Sequence, residues 1–503
     1  MQKQQTKRQR EAGILMPVSS LPSAYGIGSL GQEAKNWIDF LHDAGQGYWQ
    51  VLPLGPTSYG DSPYQSFSAF AGNPYFIDLD LLCAKGLLTQ QECEGIQWAQ
   101  KPDKVDYATL FNYREPLIRK AFARFNNPAV LEEFKEKNIF WIEDYALYMA
   151  VKDKMGLRAW NEWDEDVRMR KPETLQKYRE SLREDILFYI FVQYLFFEQW
   201  EELRGYAHKK GVKIIGDIPI YVAQDSADVW ANNDLFILDK GGTPIEVSGC
   251  PPDSFSADGQ LWGNPLYKWE THKKTGYAWW MQRMRANFAM YDVLRIDHFR
   301  GLESYYAIPH GNENAVYGEW KKGPGMDFVN AVRAEMPQAE IIAEDLGFLT
   351  DEVRQLLKDS TYPGMKVLQF AFDTREESDY SPYNYGNNSV VYTGTHDNET
   401  ICGWIKTAPK DDVAHAMAYM GVRRPRKDGA MGFIRLALQS TPYLAVVPLQ
   451  DWLELGSNAR MNTPATIGGN NWRWRVQKKM ITPQLAAKIK ENTKLYGRYH
   501  SLP

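Results

Sequence analysis

Along the chain, short apolar or β-branched runs end in Gly, Pro or Asp and are mostly followed by stretches of helical periodicity. That alternation is expected of βα units feeding a parallel sheet. Eight such runs occur, at residues 13–18, 48–54, 212–220, 293–299, 340–346, 366–372, 389–395 and 443–449. Eight units predict an α/β fold, a closed (β/α)8 TIM barrel. The gap between the second and third runs is very long, and that between the third and fourth is long too, so inserted subdomains are expected. Residues 82–210 read as mainly helical, with 82–180 a helical insertion inside a single catalytic barrel domain spanning 1–503. Residues 221–270 shift toward Gly, Pro, Asn and Asp and should be loop-rich with short strands, and 221–290 reads as a loop-rich insertion over the active site.

Composition narrows the classes. With 58 Lys+Arg against 63 Asp+Glu, a formal charge of −5 provides no basic excess for nucleic acid or anionic lipid. No membrane partner is expected either, because the most apolar run, residues 186–197, is interrupted by Gln193 and too short to span a bilayer. Cys83, Cys93, Cys250 and Cys402 form neither a C-x-x-C motif nor a disulfide scaffold. The chain reads as a soluble, cytoplasmic protein, monomer or homodimer. Its oddity is 17 Trp, 29 Tyr and 22 Phe, which serve equally a packed core and the stacking platforms of a sugar cleft.

A dinucleotide site is the first reading to test. Gly26-Ile27-Gly28-Ser29-Leu30-Gly31 matches G-x-G-x-x-G, but Pro17 and Pro22 interrupt the path from the preceding strand, and the second strand ends Val51-Leu52-Pro53-Leu54 without an acid. The glycines then serve a tight loop. No P-loop, H-E-x-x-H or aspartate-rich calcium loop is present, so neither cofactor nor metal is expected.

The stronger chemistry lies at the strand ends, where a barrel carries its site. Arg295-Ile296-Asp297-His298 closes the fourth run, and alternation turns Arg295 and Asp297 one way while Leu294 and Ile296 face the outer helices. An adjacent Arg favours the ionised carboxylate that a nucleophile needs, although a structural salt bridge has the same appearance. Glu344-Asp345 closes the fifth run, and only one of the two can enter the barrel mouth. Glu344 has the longer reach and suits a general acid of raised pKa, whereas Asp345 better fits the N-cap of the following helix. Gly394-Thr395-His396-Asp397 closes the seventh run, and Asp217 in Gly216-Asp217-Ile218-Pro219 closes the third. Acids on several strand ends, in an aromatic-rich barrel without a cofactor motif, point to glycoside chemistry.

These residues carry a family resemblance. Leu294-Arg-Ile-Asp-His-Phe-Arg-Gly301, Ala343-Glu-Asp-Leu-Gly347, Gly394-Thr-His-Asp-Asn398, Gly216-Asp-Ile-Pro-Ile220 and Ser58-Tyr-Gly-Asp-Ser-Pro-Tyr64 resemble the amylomaltases, the 4-α-glucanotransferases of the α-amylase clan. The resemblance implies Asp297 as nucleophile, Glu344 as acid/base and Asp397 as transition-state stabiliser in a retaining transfer between α-1,4-glucans, without a cofactor. It also implies contacts to an oligosaccharide substrate from Tyr59, Asp61, Ser62, Asp217, Trp262, Asn264, Arg295, His298, Phe370, His396 and Asn471. Tyr25, Tyr59, Tyr64 and Trp262 fall in loops expected to ring the acids, with Phe370 near a strand end. Arg460-Met-Asn-Thr-Pro464 and Asn471-Trp-Arg-Trp-Arg475 match as well, but Ala465 stands where the family usually has Gly, which predicts a changed loop shape because Ala tolerates positive φ poorly. An amylase-like α-1,4-glucan hydrolase is the first alternative. A non-catalytic glucan-binding protein is the second, and a nucleotide-dependent oxidoreductase is more distant.

Overall fold

In the computed structural model, which describes residues 8–58, 60–252, 256–347, 349–375 and 378–499, the eight apolar runs close a barrel. Its strands are β1 (Glu11–Leu15), β2 (Tyr48–Gln50), β3 (Lys213–Pro219), β4 (Val293–Asp297), β5 (Glu340–Ala343), β6 (Gly364–Val367), β7 (Ser389–Tyr392) and β8 (Leu444–Pro448). Each pairs in parallel with its neighbours in the chain, and β8 closes onto β1. Leu15, Ile215, Val293, Ile342, Val390 and Val446 fill the interior. Leu294 and Ile296 of β4 instead join the larger cluster beneath the helices. Arg295 and Asp297 therefore continue the inward row begun by Val293, as strand alternation predicts.

Every strand ends before its apolar run does, and two also begin ahead of it. The first begins and ends earlier, because Pro17 leads into a 3-10 turn at Val18–Ser20 that absorbs part of the apolar run. The sixth starts at Gly364, ahead of the apolar signal, since a β-carbon there would lie 2.5 Å from an Asp345 carboxylate oxygen. Its expected continuation, Leu368–Phe370, is a 3-10 turn, and among the described residues no α-helix separates β6 from β7.

Between β2 and β3 the chain runs through helices including Tyr107–Arg124 and Ile142–Lys154 and ends in the 27-residue helix Arg183–Lys209. Phe122, Phe125, Phe188 and Phe191 interlock there with ring centroids 4.9–5.8 Å apart, so much of the aromatic excess is core. Beyond β3 the chain contributes strands Glu246–Cys250 and Gln260–Pro265 to an antiparallel sheet completed by Ser304–Pro309 and Glu319–Lys322 from beyond β4. Helices Trp269–Lys274 and Ala278–Met290 follow, so the last part of the 221–290 span is helical rather than loop. The glycine loop after β1 is a packing device: a β-carbon at Gly28 would lie 1.8 Å from the Val18 carbonyl oxygen. No helix among the described residues is long and apolar enough to cross a membrane.

Candidate active site

Parallel register places Asp217 opposite Arg295 and Pro219 opposite Asp297. The buried guanidinium is shared. Arg295 Nη1 donates to both Asp217 oxygens at 2.7 and 2.6 Å, and Nη2 donates to Asp297 Oδ1 at 2.8 Å. Tyr64 Oη adds a hydrogen bond to Asp217 Oδ2 at 2.8 Å. One cation thus serves two carboxylates, the geometry in which charge-assisted hydrogen bonds are strong. The Asp297 side chain is 28% exposed. Burial pushes its carboxyl up, Arg295 opposes the rise, and Asp217 adds to it.

Glu344 lies one residue beyond β5, but the ladder continues through it. Its N–H donates to the Ile296 carbonyl and its own carbonyl accepts from Phe299 N–H, both at 3.1 Å. This brings its side chain beside Asp297, whose charge, after burial, is the main cause of the raised Glu344 pKa. Both carboxylate oxygens accept backbone amides: Oε2 from His298 at 2.6 Å and Oε1 from Leu346 at 2.9 Å. Asp345 points away, as alternation requires, but it is not the expected N-cap. Its Oδ1 accepts from Met365 N–H at 2.6 Å, and the following helix, Asp351–Ser360, is capped by Thr350.

The third acid is reached from the far end of the chain. Asp397 Oδ1 accepts from Asn462 Nδ2 at 2.7 Å, its main-chain carbonyl accepts from Arg460 Nη2 at 2.7 Å, and its Oδ2 lies 3.4 Å from His396 Nε2. The His396 ring stacks on Tyr64 at 5.0 Å between centroids, with Trp472 tilted against both. From the sequence Arg460 and Asn462 have no role of their own, and Tyr64 is only a possible stacking ring. Their spacing carries no periodic signal; the motif around Arg460 was the available clue.

The remaining expected residues divide. Trp262 packs edge-on against His298 at 4.7 Å, and Phe370 packs edge-on against Tyr380. Asp61, with φ 60°, has a carboxyl pushed up by burial and partly held down by Arg473. Tyr59 lies outside the described residues. Others hold hydrogen bonds within the protein. Asn264 Nδ2 donates to the Val222 carbonyl while its Oδ1 accepts from Ser248. Asn471 accepts from Thr463 N–H and donates to Thr466. Ser62 Oγ accepts from Tyr64 N–H. Tyr25, expected near the acids, is buried against Trp98 with its hydroxyl on Asp80.

Ala465 does not avoid the left-handed region; it adopts φ 59° in the exposed loop braced by Asn471. The strain should be recoverable. Ala465→Gly is expected to gain up to about 1 kcal/mol, the left-handed cost outweighing the added freedom of the unfolded chain. Equilibrium urea unfolding measures this, and a loss of stability would contradict it.

Among the described residues no cluster of three or more His, Cys, Asp or Glu could hold a metal ion. What the site holds is a coupled carboxyl pair, in which ionising one member favours the proton on the other. One carboxyl is braced by a guanidinium and the other by two backbone amides. Such a pair can attack at carbon from one side while moving a proton on the other.

The model of the 4-alpha-glucanotransferase family, glycoside hydrolase 77, matches residues 16–481. A Streptococcus pneumoniae protein named 4-alpha-glucanotransferase is 48% identical over 495 residues, covering 98% of each chain. A Clostridium butyricum protein of the same name is 47% identical over 488 residues, covering 96% of this chain and 100% of that one. The solved structure of an amylomaltase from Streptococcus agalactiae in complex with acarbose superposes with a TM-score of 0.95 at 40% identity, over 98% of this chain and 100% of that one.

Proposed function

This chain belongs to the glycoside hydrolase 77 family of 4-alpha-glucanotransferases, and from that premise we propose how its carboxylates divide the transfer of an α-1,4-glucan segment. Asp297 attacks the anomeric carbon of the donor while Glu344 gives its proton to the glycosidic oxygen, so the C–O bond breaks and the shortened glucan leaves. A covalent glycosyl-enzyme remains on Asp297. Glu344, now ionised, takes the proton from the 4-hydroxyl of an acceptor glucan, whose oxygen displaces Asp297 and restores both carboxyls with retention of configuration. Asp397 and His396 grip the sugar hydroxyls and stabilise the positive charge that develops at the ring. Arg295 keeps Asp297 ionised and aimed, while Trp262, His298, Asp61 and Phe370 border the glucan path.

The observation that carries this reading is the differently braced pair: Arg295 holds Asp297 while the His298 and Leu346 amides hold Glu344, and both carboxyls are pushed up chiefly by burial, with the Asp297 charge adding to the rise at Glu344. The active form has Asp297 ionised and Glu344 protonated, so activity falls toward acid as Asp297 gains a proton and toward alkali as Glu344 loses one. Purified enzyme incubated with maltotriose is expected to produce glucose together with a ladder of longer maltodextrins on chromatography. Only shorter sugars would make it a hydrolase.

Residues 82–180 and 221–290 are read as insertions within one catalytic domain. The protein is read as cytoplasmic, a monomer or homodimer, since four cysteines in 503 residues are too few for a disulfide scaffold.

A further inference from the structure

The residue that follows Asp297 has an unusual backbone. His298 sits at φ 53°, ψ 47°, in the left-handed region that a side chain with a β-carbon rarely adopts. This residue ends β4 immediately after the nucleophile, and its N–H donates to Glu344 Oε2, 2.6 Å away. A single peptide unit, the Asp297–His298 bond, therefore joins the two reacting carboxyls.

The turn is held in place. His298 accepts from Gly301 N–H at 2.9 Å through its carbonyl. Its ring lies in a slot with Trp262 edge-on at 4.7 Å on one side. On the other side is Gly301, where a β-carbon would come within 3.1 Å of His298 Cδ2. Nε2 is buried without a hydrogen-bond partner among the described residues, so packing rather than polar bonding fixes the imidazole. Left-handed strain persists only where the surroundings over-determine it, and it collects at functional sites.

We propose that His298 is a positioning residue: its left-handed backbone, wedged by its ring between Trp262 and Gly301, fixes the acid/base carboxyl relative to the nucleophile through one N–H···O bond. This rests on the acid/base reading of Glu344 given above. The hydrogen bond favours the ionised carboxylate and so restrains the upward push from burial and Asp297. The other charged or titratable groups acting on Glu344 are Arg295 from β4 and Tyr380 from the segment after β6. The Arg300 charge acts on the His298 imidazole.

The test separates backbone conformation from imidazole chemistry. Asn and Gly accept the left-handed region, whereas Val resists it and Ala does so more mildly. In His298→Val the alkaline limb of kcat/KM for maltotriose should move up by about one pH unit, the size expected for one lost hydrogen bond to a carboxylate. His298→Ala should move it part of the way, and it is the measurement that counts should the Val variant not fold. His298→Gly and His298→Asn should keep the wild-type limb even where KM rises through loss of the ring. A maltotriosyl fluoride donor, whose leaving fluoride needs no proton, should lose less in the first turnover of fluoride release from His298→Ala or His298→Val than those variants lose in maltotriose turnover, because the later acceptor step still needs Glu344 as base.

The inference is overturned by an unmoved limb in both Val and Ala, by a Gly or Asn limb that moves as far as theirs, or by fluoride release that slows as much as maltotriose turnover. Glu344→Gln keeps the two readings apart. Wild-type transfer from maltotriose by that variant would end the acid/base assignment itself, while its loss together with a flat His298 series would end only the positioning claim.

Discussion

Asp297→Asn is expected to lower kcat/KM for maltotriose disproportionation by about 10⁴-fold or more, the scale seen when a covalent catalyst loses its nucleophile, while leaving the melting temperature at pH 7 unchanged or higher. The amide has the shape of the carboxylate and still offers Oδ1 to Arg295 Nη2, but it cannot attack carbon. The stability claim follows from the direction of the pKa. Burial raises the Asp297 carboxyl above its unfolded value, so the fold favours the protonated form. The cost of holding the ionised form is absent at low pH and develops as pH rises past the ordinary aspartate value near about 4. A neutral isostere removes that cost, and the difference between variant and wild type should therefore widen from acid to neutral pH in calorimetric scans. A functional group that destabilises its own fold is the common trade at active sites. Wild-type-like product ladders from the variant, or a fall of several degrees in melting temperature, would reject the nucleophile assignment or its electrostatic basis respectively.

The barrel and its inward acids were readable because strand alternation is a local property. Val293, Arg295 and Asp297 share a face whatever lies elsewhere in the chain, and Leu294 and Ile296 must take the other. The same rule separated Glu344 from Asp345. It could not say what Asp345 meets, because Met365 N–H and the gap above Gly364 come from the neighbouring strand. Asn462 likewise reaches Asp397 across 65 residues and Tyr64 reaches Asp217 across 153, spacings with no period to detect. Short strands are expected within 221–290, but their pairing with Ser304–Pro309 and Glu319–Lys322 has no local signal, because Gly249 interrupts one strand and Glu319–Lys322 is mostly charged. Asn264 and Asn471 fit the family pattern, and that their amides also brace loops is visible only from their folded partners. Ala465 shows a different limit, since a conformational preference of about 1–2 kcal/mol yields to the surrounding structure.

Arg295→Met should have the largest effect on stability. The guanidinium is buried, and its three hydrogen bonds to Asp217 and Asp297 supply the cation between two inward carboxylates. Methionine fills the space of the stem beside Met365, whose Sδ lies 3.4 Å from Arg295 Nε, so loss of charge rather than a cavity dominates the change. Breaking a buried pair by removing one partner costs about 3–5 kcal/mol, because the other charge stays buried and unpaired. The midpoint of urea unfolding should fall accordingly. Activity should respond in a defined direction as well. Arg295 holds the Asp297 carboxyl down against burial; without it the nucleophile ionises only at higher pH, so the acid limb of kcat/KM moves up while the maximum declines. Arg295→Lys keeps a charge but loses the planar fork that bonds both carboxylates, and should fall between the two. The double variant Asp217→Asn/Arg295→Met removes one orphaned carboxylate and should recover part of the lost stability without recovering transfer, which a double-mutant cycle would measure as coupling. An Arg295→Met enzyme as stable as wild type, or one whose acid limb stays in place, would mean that the shared cation neither holds the barrel mouth together nor tunes the nucleophile.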